Sequence, residues 1–131
     1  MTETQRASTS PLQAVSNALV KLHKEQFGRG PTNAQSNFAG PDVLVCVLQD
    51  ALLPAERKMV ELGEKGRVRD SRNAFQAATE TEFVQAVEQI VGRKVRAFGS
   101  AVDPDANVVF ENYFFEPRQS GGDGHRNAEL P

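Results

Sequence analysis

The chain has 131 residues, with 15 Lys and Arg against 17 Asp and Glu and a formal charge of -2. That length suits one domain, and that balance excludes a general pull toward phosphate backbones or anionic lipid. One cysteine and two histidines exclude a disulfide framework and leave no Cys/His set for zinc.

Residues 1–9 are polar and without period, and residues 118–131 contain three glycines and no aromatic residue. Both are expected to be disordered tails flanking a domain at 10–117, because neither carries enough apolar surface to offset the entropy of ordering. Ser10-Pro11-Leu12-Gln13 is an S-x-x-Q capping box with proline at the first helical position. Leu12, Val15, Leu19 and Leu22 then line one face of a helix that ends at Phe27, with Gly28 free to turn left-handed. Residues 28–41, dense in Gly, Pro and Asn, read as a long loop.

Val43 to Leu48 is an unbroken apolar run half composed of valine. It predicts a strand shielded on both faces. Leu53-Pro54 opens a second helix with Glu56 in its first turn, and Met59, Val60 and Leu62 as its apolar residues. Gly63 and Gly66 interrupt the pattern. A long helix follows from Arg67 to Val91, with Val68, Phe75, Phe83, Val87 and Ile90 as its buried stripe and Gly92 as its end. Val95–Val102 and Val108–Phe115 predict two strands joined as a hairpin through the turn-rich Asp103–Asn107. Val108, Phe110 and Phe114 share one face of the last strand; Val109, Glu111, Tyr113 and Phe115 share the other.

The expected fold is therefore a two-layer α+β domain: a three-stranded sheet with about three helices, in the order α-β-α-α-β-β. Helices in so short a chain cover one face of the sheet, yet the strands carry apolar residues on both. Either the first helix covers the other face or a second copy does, and a homodimer is the favoured expectation.

Gly28-Arg29-Gly30-Pro31 offers backbone amides and a guanidinium fork to an anion, and the same residues also serve as a helix C-cap followed by a rigid turn. It is not a phosphate loop, since no strand precedes it and no Lys-Ser or Lys-Thr follows. Lys65, Arg67, Arg69, Arg72, Arg93, Lys94 and Arg96 form a basic set, but Glu61, Glu64, Asp70, Glu80 and Glu82 are interspersed among them. A solvated surface of mixed sign is expected there, not a nucleic-acid face. Cys46 among valines is expected to be buried, with a raised pKa, and inert. His23 suits the last turn of its helix, where the dipole favours a cation, and His125 lies in the tail. Asp103 and Asp105 read as turn formers. No arrangement of these residues makes a catalytic or metal site, and no cofactor is implied.

Several segments together resemble the MpsC-like domain family over residues 12–116. They are Ser16-Asn17-Ala18-Leu19-Val20, Phe27 through Pro31, the strand Val43 to Leu48, Leu53-Pro54-Ala55-Glu56-Arg57, and Gly66-Arg67 with Arg72. The chain departs from the family pattern at Phe38-Ala39-Gly40-Pro41 and in its polar tail. The resemblance implies a small soluble bacterial protein, some relatives of which are encoded beside membrane systems that move cations or dissolved inorganic carbon. It marks Gly28, Arg29, Gly30 and Pro31 as ligand-binding positions, with Arg67 and Arg72 beside them. The expectation is thus a non-enzymatic, cytoplasmic accessory or regulatory protein acting through protein contacts. The other is a sensor holding a phosphate- or carboxylate-bearing ligand near Arg29. Neither has an integral membrane segment, because no apolar run approaches the ~20 residues needed to span a bilayer and Met1 to Ser10 has no apolar signal core.

Overall fold

A computed structural model describes residues 10–118. The expected tails lie outside those residues, Arg118 excepted. Helix α1 (Pro11–Phe27) starts as its sequence requires: Ser10 is extended and its side chain accepts from the Gln13 amide at 3.0 Å. It stops at Gly28, whose φ of 88° lets the amide return to the Lys24 carbonyl. Val15 and Leu19 are fully buried on its inner face, together with Ser16 and His23.

The expected loop at 28–41 contains a strand, β1 (Asn33–Phe38). It pairs antiparallel with β2 (Val43–Gln49), from Asn33 opposite Gln49 to Phe38 opposite Leu44. Gly40, at φ 87°, makes the tight return between them, closed by a 2.8 Å bond from the Ala39 amide to the Val43 carbonyl. The expected three-stranded sheet is corrected to four strands, and the order to α-β-β-α-α-β-β. β1 escapes a pattern reading because its alternation is written in polar residues. Ser36 is buried under α1, where its hydroxyl meets that of Ser16 at 2.8 Å, while Asn33, Gln35 and Asn37 face solvent.

Helix α2 (Pro54–Glu61) begins where the Leu53 amide donates to Glu56 Oε1 at 2.7 Å. Helix α3 runs from Lys65 to Val91 and ends at Gly92, at φ 77°. Its buried residues are Val68, Arg72, Phe83 and Val87. Phe75, expected in that stripe, is exposed at the helix edge, where it packs on Phe27 with ring centroids 4.7 Å apart. β3 (Val95–Asp103) and β4 (Val108–Phe115) form the expected hairpin. In its turn, Asp103 accepts from the Ala106 amide at 3.1 Å.

The sheet order is β1-β2-β4-β3, antiparallel throughout. Leu44, Cys46 and Leu48 of β2 and Val109, Glu111, Tyr113 and Phe115 of β4 point into the helix layer and are buried. They meet Val15 and Leu19 of α1 and Phe83 and Val87 of α3 in one core.

Candidate functional site

The Gly28–Pro31 turn is built by close approach and by one arginine. A Cβ on Gly30 would lie 2.9 Å from the Val20 carbonyl oxygen, so only glycine lets the chain run this close to α1. Arg29 reaches across to the β2–α2 connection. Its Nη1 donates to the carbonyls of Leu52 at 2.7 Å and Asp50 at 3.1 Å, and Nη2 to Asp50 Oδ2 at 3.2 Å. Asp50 sits at φ 58°. It also takes a bond from Asn107 Nδ2, and Asn107 Oδ1 accepts from the Leu52 amide. The Arg29 hydrogen bonds hold the Asp50 carboxyl below its usual range. The guanidinium fork is thus occupied within the chain, tying three segments together.

The other two marked arginines stand apart. Arg67 is exposed and pairs with Glu64 at 3.0 Å. Arg72 is buried, gripping Glu56 with Nε at 2.8 Å and Nη2 at 2.7 Å, and donating from Nη2 to the Ala51 carbonyl. Its guanidinium lies over the Phe27 ring, 3.8 Å from the centroid. Burial opposes ionisation of Glu56, but the Arg72 bonds and the Leu53 amide together outweigh it, and its carboxyl stays below the usual range. The remaining basic residues disperse. Lys65 pairs with Asp105, Arg93 with Asp42, and Arg96 lies over Phe114.

Beneath α1 lies a buried polar chain, whose link from His23 to the β4 pair Glu111 and Tyr113 no local spacing announces. His23 Nε2 and Glu111 Oε2 are 3.0 Å apart, and Tyr113 donates its hydroxyl to Glu111 Oε1 at 3.0 Å. Glu111 and Tyr113 are fully buried and His23 is 3% exposed. Burial and the neighbouring Glu111 carboxyl raise the Tyr113 pKa beyond any ordinary pH. Cys46 is buried beside them. Burial pushes its thiol up to about 12, against a smaller opposing effect of Ser36, in line with the expected burial and raised pKa.

A small cleft opens between α1 and α3. His23, Gln26 and Phe27 fall at spacings of three and four on one helix, and Arg72, Gln76 and Phe83 on the facing stripe of the other; Val102 and Val109 of the sheet also line it. Its interior is about 10 Å³, roughly the space of one water. His23 Nδ1, Gln26 Oε1, Arg72 Nη1 and Gln76 Nε2 have no hydrogen-bond partner among the described residues. All four residues belong to this one cleft.

Among the described residues, no helix covers the far side of the sheet. Val43, Val45 and Val47 of β2 are only half-buried there, and Phe110 and Phe114 of β4 are 40% and 38% exposed. Around this apolar centre lie Asn33, Gln35 and Asn37 of β1 and Arg96 and Asp103 of β3, all exposed. Among the described residues, then, the valine run is covered on one side only. Among the described residues, no group of three or more His, Cys, Asp or Glu is placed to hold a metal ion, and no helix is long and apolar enough to cross a membrane.

The structure therefore defines a two-layer α+β domain with a bare apolar sheet face and a polar cleft between its helices. Residues 9–116 match the family model described as Na+-translocating membrane potential-generating system (MpsC), and the chain belongs to that family. Comparison with curated proteins and with solved structures finds no match.

Proposed function

We propose that this chain is a non-enzymatic accessory or regulatory protein of the cytoplasm. In this reading it pairs with a second copy through its bare sheet face and serves a membrane ion or inorganic-carbon transport system. The observation that carries the reading is the make-up of that face. An antiparallel sheet with a solvated side alternates apolar and polar residues along each strand. Here Val43, Val45 and Val47 lie on the open side, and Val43 and Val47 are paired with Phe114 and Phe110. Exposed Asn112, opposite Val45, interrupts this face, but the valines and phenylalanines around it form an apolar strip edged by polar residues, as at a protein interface.

The charges on this face also support a second copy as its occupant. Arg96 and Asp103 stand near opposite ends of β3, both exposed. With a twofold axis running across the strands, β3 stacks antiparallel on its own copy, and each Arg96 meets the partner's end that bears Asp103. The link to a membrane system rests on the family description alone. Light scattering on the purified chain tests the pairing. Twice the protomer mass is expected at micromolar concentration, and a protomer mass at every concentration would remove the proposal.

A further inference from the structure

We propose that the outer edge of β1 pairs with the β1 of a second copy, so that two four-stranded sheets join into one continuous sheet. An open sheet edge is a row of unpaired backbone groups, and soluble proteins blunt it with charges, prolines or bulges. The two edges of this sheet differ. β3 has Arg96 and Asp103 exposed on it and a bulge between Val95 and Ala97. β1 has no charge, no proline and no bulge. Among the described residues, no strand pairs with its outer edge. Beside that edge a groove of about 370 Å³ opens against α1. Leu12, Gln13 and Ser16 of the helix and residues 34–37 of the strand line it, and no charged side chain lies on its wall. A strand added at the usual spacing of about 4.8 Å enters this groove.

The backbone fixes the register. The Ala39 amide bonds the Val43 carbonyl, which marks those two residues as a hydrogen-bonded pair. Such pairs alternate with non-hydrogen-bonded ones along an antiparallel ladder. Asn33, Gln35 and Asn37 therefore spend their backbone groups on β2, while Ala34, Ser36 and Phe38 turn theirs outward. A twofold axis through Ser36 uses all of the outward groups. Ser36 then bonds the partner's Ser36, and Ala34 bonds the partner's Phe38. Gln35 lies opposite the partner's Asn37 as a non-hydrogen-bonded pair on the bare face.

The side chains favour a second copy as the occupant. About such an axis like residues gather, and a charged strand would repel itself, whereas β1 is uncharged. The amides of Gln35 and Asn37 each carry donors and an acceptor, so they satisfy one another. Phe38, 39% exposed, gains the small Ala34 as its neighbour across the seam. The seam axis stands perpendicular to the sheet, and the axis of the face pairing runs within its plane. Two such axes at right angles close on four copies and leave no open fibre. That closure rests on the face pairing proposed above; the seam does not.

Cysteine cross-linking tests the seam. Gln35→Cys chains are mixed with Asn37→Cys chains and treated with oxidised glutathione. Opposed residues of a non-hydrogen-bonded pair have Cα atoms about 4.5 Å apart, within reach of a disulfide. The mixture is expected to give a linked dimer on non-reducing electrophoresis. Either chain alone is expected to give several-fold less, because like cysteines then sit diagonally, about 7–8 Å apart. Cys46 is buried and stays out of the reaction. The link is expected to persist when both chains also carry Phe110→Glu, which acts on the bare face. A mixture that links no more than its separate chains would overturn the proposal, whatever mass light scattering gives, so the seam and the face pairing fail separately. A link lost with Phe110→Glu would overturn it too, by assigning the contact to the stacked faces.

Discussion

At the scale of single residues, glycine and arginine do unlike work in one turn. Gly28 answers a dihedral, whereas Gly30 answers a neighbour, with Val20 Cγ1 at 3.2 Å from its would-be Cβ in addition to the carbonyl. Gly30→Ala should therefore cost about 1–3 kcal/mol, as overpacking does. Urea unfolding checks this, and an unmoved midpoint would show that α1 and the turn part freely. The carboxyls of Asp50 and Glu56 are both held below their usual range. The sign follows: in acid the unfolded chain binds more protons at these positions, so their contribution is present above about pH 4–5 and is lost as pH falls through the folded values. The melting temperature should drop on acidification below about pH 4, and less steeply in Glu56→Gln than in the parent. The turn was legible in sequence as a cap. That Arg29 ends its reach on Asp50 and Leu52, more than twenty residues on, was not, because no local spacing encodes it.

At the scale of elements, one joint fastens α2 to α3. α2 buries no residue completely, so its attachment to α3 leans on the Arg72–Glu56 pair as well as on half-buried Met59 and Val60. Removing one partner of a buried pair costs about 3–5 kcal/mol, because the other is left uncompensated. Arg72→Met should thus destabilise the fold by more than Arg67→Met, whose exposed pair is worth about 0–1 kcal/mol. Thermal melts of the two variants make the comparison, and equal losses would contradict it. Most helices and strands could be read from their apolar period and caps. β1 could not, since Asn-Ala-Gln-Ser-Asn-Phe has no β-branched residue; its pairing with β2 makes it a strand. The cleft was hidden for a related reason. Its walls come from helices some fifty residues apart in sequence, and His23 and Glu111 are separated by 88 residues.

At the scale of the whole molecule, the helix layer and the bare sheet face divide the surface between a finished side and an unfinished one. Phe110→Glu places a charge at the centre of the bare face, on a residue already 40% exposed in the single chain. It should abolish pairing while leaving the fold and its melt nearly intact, a separation read by light scattering alongside circular dichroism. Loss of both together would show that the residue belongs to the core instead. The apolar residues of the open face were legible from the valine run and the aromatics on both faces of the last strand. The extra strand was not, and it widens the face that a mate would meet.

The position of β4 bears on how the molecule is born. It lies between β2 and β3 in the sheet yet follows every other strand along the chain. A nascent polypeptide emerging from the ribosome can zip the first hairpin early, but the inner edge of β2 then waits, open, until sixty more residues are made. During that interval the valine ribbon is a template for any passing strand, which makes the interval before β4 arrives the time when a chaperone matters most.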